Sequence, residues 1–138
     1  MDSYQIDWLT AFFRLMCLTT NAWSAWTFVT DTGTENRDFS VYVDLTTIKR
    51  NGDTVKIWYL HDFKNPRALR TGKSYRSSVL QEEYDCKTER LRTTASTDYS
   101  DDMGLGIAVL SDDDTGAWSV VRPRTIGHTK LKLACGQQ

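Results

Sequence analysis

Hydrophobic and polar positions alternate along residues 39 to 63. In "FSVYVD", Phe39, Val41 and Val43 interleave with Ser40, Tyr42 and Asp44, the period of two that sends successive side chains to opposite faces of a strand. "VKIWYLHDF" repeats the pattern, with Val55, Ile57 and Tyr59 on one side and Lys56, Trp58 and Leu60 on the other. Between the two runs lies Asn51-Gly52, a strong hairpin signal, so residues 41 to 63 predict a hairpin. A short strand, "WTFV" at 26 to 29, precedes it across a polar loop. "KNPRALRTGK" predicts a loop. "SYRSSVLQEEYDC" and "RLRTTASTDYS" then flank Lys87, Thr88 and Glu89 as a second, longer hairpin with Cys86 at its turn.

Two further short strands follow, Ile107 to Leu110 and Trp118 to Val121, joined by an acidic loop. The period changes only after Pro123. There Thr125 can cap a helix whose stripe is Ile126, Leu131 and Ala134, with Lys130 and Lys132 near its C-terminal end, where cations suit the helix dipole. The pattern predicts an α+β fold, mainly β: about six antiparallel strands with a C-terminal helix packed on the sheet.

Composition adds bounds. The 138 residues, 40% hydrophobic and 12% aromatic, suffice for one domain with a modest core. With 17 basic against 18 acidic residues the chain lacks the positive field that nucleic-acid binding requires.

Residues 1 to 25 differ from the rest: an apolar run, then small residues, ending before the first strand, as in a secretory leader. The leader is atypical, because "MDSYQIDW" carries two aspartates and no basic residue, and Arg14 interrupts the apolar run. Ala22, Trp23 and Ser24 place cleavage near residues 24 to 25, leaving a domain from 26 to 138. A retained amphipathic helix is the alternative. The run is shorter than the roughly 20 apolar residues of a membrane span, and Met16 stands where a lipoprotein signal carries a small residue before its cysteine.

Export would remove Cys17 and leave Cys86 and Cys135 as an even pair, most simply a disulfide. Closing a loop of about 50 residues stabilises a fold by roughly 4 kcal/mol on the chain-entropy model. A nucleophilic role for Cys86 would want a histidine base and a positive setting, whereas Glu82, Glu83 and Asp85 precede it.

Other motifs carry little chemistry. His61 and His128 are far apart and lack partners at metal-ligand spacing. "MGLG" lacks the context of a phosphate loop and reads as a bend, and "SDDDTG" lacks the alternation and closing glutamate of a calcium loop. We therefore expect no catalytic, cofactor-binding or metal-binding residues. Trp26, Trp58 and Trp118 fall in strands, where they could form a ligand platform, but large aromatics of a small sheet domain mostly build the core and its rim, and these are expected in the core. Arg67, Arg70, Lys73 and Arg76 cluster around one loop, and Arg122, Arg124, Lys130 and Lys132 populate the tail; either group is a candidate for contacting an acidic partner, with solvated surface charge the default expectation, and Arg67, Arg70 and Lys73 are the partner-binding candidates singled out.

The order of these signals resembles a known family. "YVDLTTIKRNGDTVKIWYLHDF", "SYRSSVLQEEYDCKTERLR", "YSDDMGLGIAV", the spacing of Trp118, Val121 and Pro123, and the C-terminal cysteine together look like the surface-adhesin protein E family of Gram-negative bacteria, from about Trp26 to Cys135. The resemblance implies an antiparallel sheet with a helix packed on it, a Cys86–Cys135 bond, a periplasmic or outer-membrane surface location, and room for two copies to pair through the sheet. It also implies non-catalytic binding of host extracellular-matrix or serum proteins, laminin- or vitronectin-like. The alternative is a periplasmic structural or small-ligand-binding module with no host partner.

Overall fold

The computed structural model describes residues 26–33 and 38–136; the leader reading, residues 1–25, lies outside them. Seven antiparallel strands form one sheet: β1 (Thr27–Asp31), β2 (Phe39–Asn51), β3 (Thr54–Ala68), β4 (Ser74–Asp85), β5 (Arg90–Tyr99), β6 (Ala108–Asp112) and β7 (Ser119–Val120). The first six lie side by side in chain order, and β7 pairs with β5 beyond the end of β6. Such a meander follows from short connections, since each strand pairs with the one just made. Among the described residues one α-helix, α1 (Ile126–Gly136), completes the fold.

Alternation decides the faces. Register sets Val43 beside Tyr59 and Tyr59 beside Leu80, and likewise Val55 beside Tyr84, so these side chains share one face. That face packs against α1 and holds the core of Val41, Val43, Val55, Ile57, Tyr59, Leu80, Tyr84, Val121, Leu131 and Ala134. The opposite face carries Asp44, Trp58, Gln81 and Glu83. Part of it lies beneath the 3-10 turn Asp102–Gly104, whose Met103 N–H donates to Asp62 Oδ1 (2.7 Å) and whose Gly104 N–H donates to Ser77 Oγ (2.8 Å). Gly104, at φ +71°, is also where a Cβ would press on Leu60 and Val79 at 3.2 and 3.1 Å, so glycine lets this turn close over the sheet.

The helix has eleven residues, a length that is marginal in water without tertiary support. Thr125 caps it, its Oγ1 accepting from His128 N–H at 3.2 Å, and Thr129 N–H closes the first helical bond to Thr125 O. Its far end is tied by the disulfide: Cys86 and Cys135 are bonded, with Cα atoms 5.7 Å apart. Arg50 Nη2 also donates to the Cys135 carbonyl at 3.3 Å.

Two expectations change here. "KNPRALR" is strand and not loop: β3 continues past Pro66 to Ala68 after a register shift between Asp62 and Arg67, and the turn shrinks to residues 69–73. Proline is tolerated because the ladder is already broken there. Nor do the tryptophans build the core. Trp26, Trp58 and Trp118 are all half-buried, and Tyr59 and Tyr84 take the interior instead.

Candidate binding surface

Under the helix lies a polar cluster that reading along the chain missed. Lys130, expected as a solvated charge, is 4% exposed and meets Glu82, 5% exposed, with Nζ 2.7 Å from Oε1. The Tyr84 hydroxyl donates to the other oxygen of Glu82, the Lys130 ammonium lies over the Tyr59 ring at 4.9 Å, and His61 Nε2 is 3.4 Å from Nζ. Tyr59 donates to the Lys130 carbonyl at 3.1 Å. Burial, then the Lys130 charge, then Arg67 lower the His61 pKa to about 3, so its ring stays neutral in the folded protein. Burial, reinforced by the Glu82 carboxylate, holds the Tyr59 and Tyr84 hydroxyls protonated. A neutral histidine, a satisfied carboxylate and the ammonium of Lys130 form an anchor for α1. The signal in the chain was weak: alternation puts Glu82 on the side of Leu80 and Tyr84, but nothing local pairs it with a residue 48 positions on.

The helix-free face offers an open site. Asp44 on β2 lies directly across from Trp58 on β3, and Trp26, just ahead of β1, precedes Thr27, which pairs with Val43, so all three residues meet on this face. These residues, with Thr47 and Tyr99, line a groove of about 300 Å³. Val79 and Thr97 line it further across the sheet. The β2 backbone is bent here, its register shifting between Asp44 and Lys49. That irregularity is held locally. Asp44 Oδ1 accepts from Thr46 N–H (3.0 Å) and Thr46 Oγ1 (2.6 Å), Thr47 Oγ1 donates to the Asp44 carbonyl (2.6 Å), and Trp58 N–H donates to Thr47 Oγ1 (3.0 Å). Beside the groove, Phe28 and Tyr42 meet edge to face at 5.7 Å, and Phe28 remains 54% exposed. Alternation contained the signal for this site, since it placed Trp58 opposite Tyr59.

The three basic residues singled out from the sequence converge only partly. Arg70 and Lys73 are exposed in the tight turn 69–73, where Leu69 N–H donates to Lys73 O at 2.8 Å. Arg67 sits in β3 with its guanidinium 4.3 Å above the Phe63 ring. Arg76, on β4, pairs with Asp102 at 2.9 Å. At the opposite end of the sheet Arg92 and Arg90 lie over Trp118, at 4.4 and 5.5 Å, and Arg92 pairs with Glu83 at 3.1 Å. Among the described residues no three His, Cys, Asp or Glu side chains gather as a metal site, and no helix is long and apolar enough to cross a membrane.

The described residues thus form a meander sheet with one helix clamped to one face by a disulfide and a buried ion pair, and with an aromatic groove on its other face. The chain belongs to the surface-adhesin protein E family, whose sequence pattern matches residues 26–136. The fold is that of protein E from Haemophilus influenzae. One crystal form of that protein superposes with a TM-score of 0.61 at 13% identity, over 79% of this chain and 87% of the other. Protein E from non-typeable Haemophilus influenzae gives 0.57 at 14% identity, over 79% and 75%. No curated protein matches the chain by sequence.

Proposed function

We propose that the protein is an exported adhesin of the bacterial envelope that binds host extracellular-matrix or serum proteins, laminin- or vitronectin-like, without catalysing a reaction. The match to the surface-adhesin family across residues 26–136 carries this reading. Residues 1–25 act as the leader and are removed, and Arg67, Arg70 and Lys73 contribute contacts from the end of the β3–β4 hairpin. An exposed turn presented by a rigid sheet suits contact with a large partner.

Protease added to intact cells tests the location, and binding of the purified protein to immobilised laminin and vitronectin tests the activity. We expect digestion on intact cells and saturable binding. Reversing Arg67, Arg70 and Lys73 to glutamate weakens that binding by about tenfold, the loss of roughly 1.4 kcal/mol. Protection of the protein until the outer membrane is opened, with no binding to either host protein, would support instead a periplasmic module. The groove of about 300 Å³, at the small end of ligand sites, is the observation that favours that second reading.

A further inference from the structure

We infer that α1 is an acid-released flap: a proton taken up at His61 Nε2 undocks the helix from the sheet, while the Cys86–Cys135 bond keeps its far end in place. Two nitrogens meet under the helix. Lys130 Nζ lies 3.4 Å from His61 Nε2. An ammonium can only donate, so Nε2 presents its lone pair and the ring of the docked form carries its proton on Nδ1. A second proton has only Nε2 to occupy. It points at the ammonium, and an accepted hydrogen bond becomes a meeting of two donors and two cations.

Among the described residues no carboxylate is bonded to the ring. The charged groups on its side of the sheet are Arg67 on β3, Glu82 on β4, Asp98 on β5 and Lys130 on α1, with the phenols of Tyr59, Tyr75 and Tyr84. From β2 only the Phe39 ring reaches it, at 4.7 Å. Glu82 is engaged by Lys130 Nζ and the Tyr84 hydroxyl, and Asp98 by the Ser78 hydroxyl.

The helix is the part that yields. β3 is paired with a strand on either side, whereas α1 rests on the sheet through Leu131, Ala134 and Lys130. The pair with Glu82 and the bond from the Tyr59 hydroxyl both end on Lys130, the residue that faces the ring. With eleven residues and Gly127 in its first turn, the undocked helix is marginal in water and melts. The chain is held before it by Val121 N–H on the Glu89 carbonyl (2.9 Å) and after it by the disulfide. The segment between them therefore opens and recloses without leaving the sheet.

In the opened form the ring meets water and titrates near its ordinary 6.5, whereas in the docked form it stays neutral throughout the range from pH 7 to 5. Protons thus bind the opened form first. Linkage raises the opened fraction by about 25-fold between pH 7 and 5.

Amide exchange of the disulfide-bonded protein at the two pH values, corrected for intrinsic exchange rates, measures the opening. Protection of residues 130–134 should fall by about 25-fold. It should hardly change in low urea, the mark of a local event, while amides of β3 and β4 respond steeply. His61→Gln keeps an acceptor for Lys130 and does not titrate, so its α1 protection should change by less than about threefold. Should that variant fail to fold, the imidazole resonance of His61 in the native protein decides. A ring that titrates between pH 7 and 5 with α1 still protected would overturn the inference, because the second proton would then fit beneath a docked helix. Protection in α1 that is independent of pH, or that falls as far in His61→Gln as in the native protein, would overturn it as well.

Discussion

Replacing Lys130 by methionine tests how the helix is held. The substitution keeps much of the aliphatic stem but deletes the ammonium, leaving Glu82 buried with the Tyr84 hydroxyl and without the cation 2.7 Å away. Removing one partner of a buried pair costs about 3–5 kcal/mol, chiefly because the remaining charge is stranded. The Tyr59 ring loses its cation as well, worth up to roughly 2 kcal/mol where water is excluded, though the two losses overlap. A domain of this size holds about 5–15 kcal/mol in all, so the variant approaches the limit of folding. Adding Glu82→Gln removes the stranded charge while retaining an acceptor for Tyr84, and should recover about half of the loss. Urea unfolding at pH 7 followed by circular dichroism, with the disulfide intact, measures both. A loss below about 1 kcal/mol for Lys130→Met, or a double variant no more stable than the single one, would refute the view that a stranded charge sets the cost.

Replacing Cys86 and Cys135 by serine reopens a loop of sequence separation 49 and should lower stability by about 4 kcal/mol, with amide exchange rising first in α1; unchanged exchange there would show that the capped helix needs no staple. His61 sets the acid limit. Its folded pKa of about 3 lies below the ordinary 6.5, so the unfolded chain takes up the proton first. Stability is therefore full above pH 6.5 and is lost as the pH falls towards 3, by on the order of 5 kcal/mol. Urea midpoints between pH 7 and 5, where carboxylates contribute least, should fall for the native protein and much less for His61→Gln, and an imidazole resonance of His61 titrating near 6.5 would contradict the burial on which this rests.

Elements set by neighbouring residues were legible along the chain. The alternations of β2 and β3 read directly because the pleat imposes a period of two whatever lies across the sheet, and Asn51-Gly52 and the Thr125 cap act within four residues. The even pair of cysteines left after a leader pointed to the bond between Cys86 and Cys135. The extent of β3 past Pro66 was not legible, since "KNPRALR" has the composition of a loop and becomes strand only through pairing of Arg67 with Tyr75 and stacking on Phe63. Nor was the fate of Lys130: a lysine near a helix end reads as solvated until the sheet brings Glu82 beneath it. The tryptophans mark the same divide. Alternation placed Trp58 with Lys56 and Leu60, opposite Tyr59, but which of the two faces the helix covers depends on where α1 docks. The sequence determined the strands, the cap and the cysteine pair, because local sterics and hydrogen bonds specify them. Tertiary structure decided which charges were buried and which aromatics were left open as a groove, because burial depends on residues far apart in the chain.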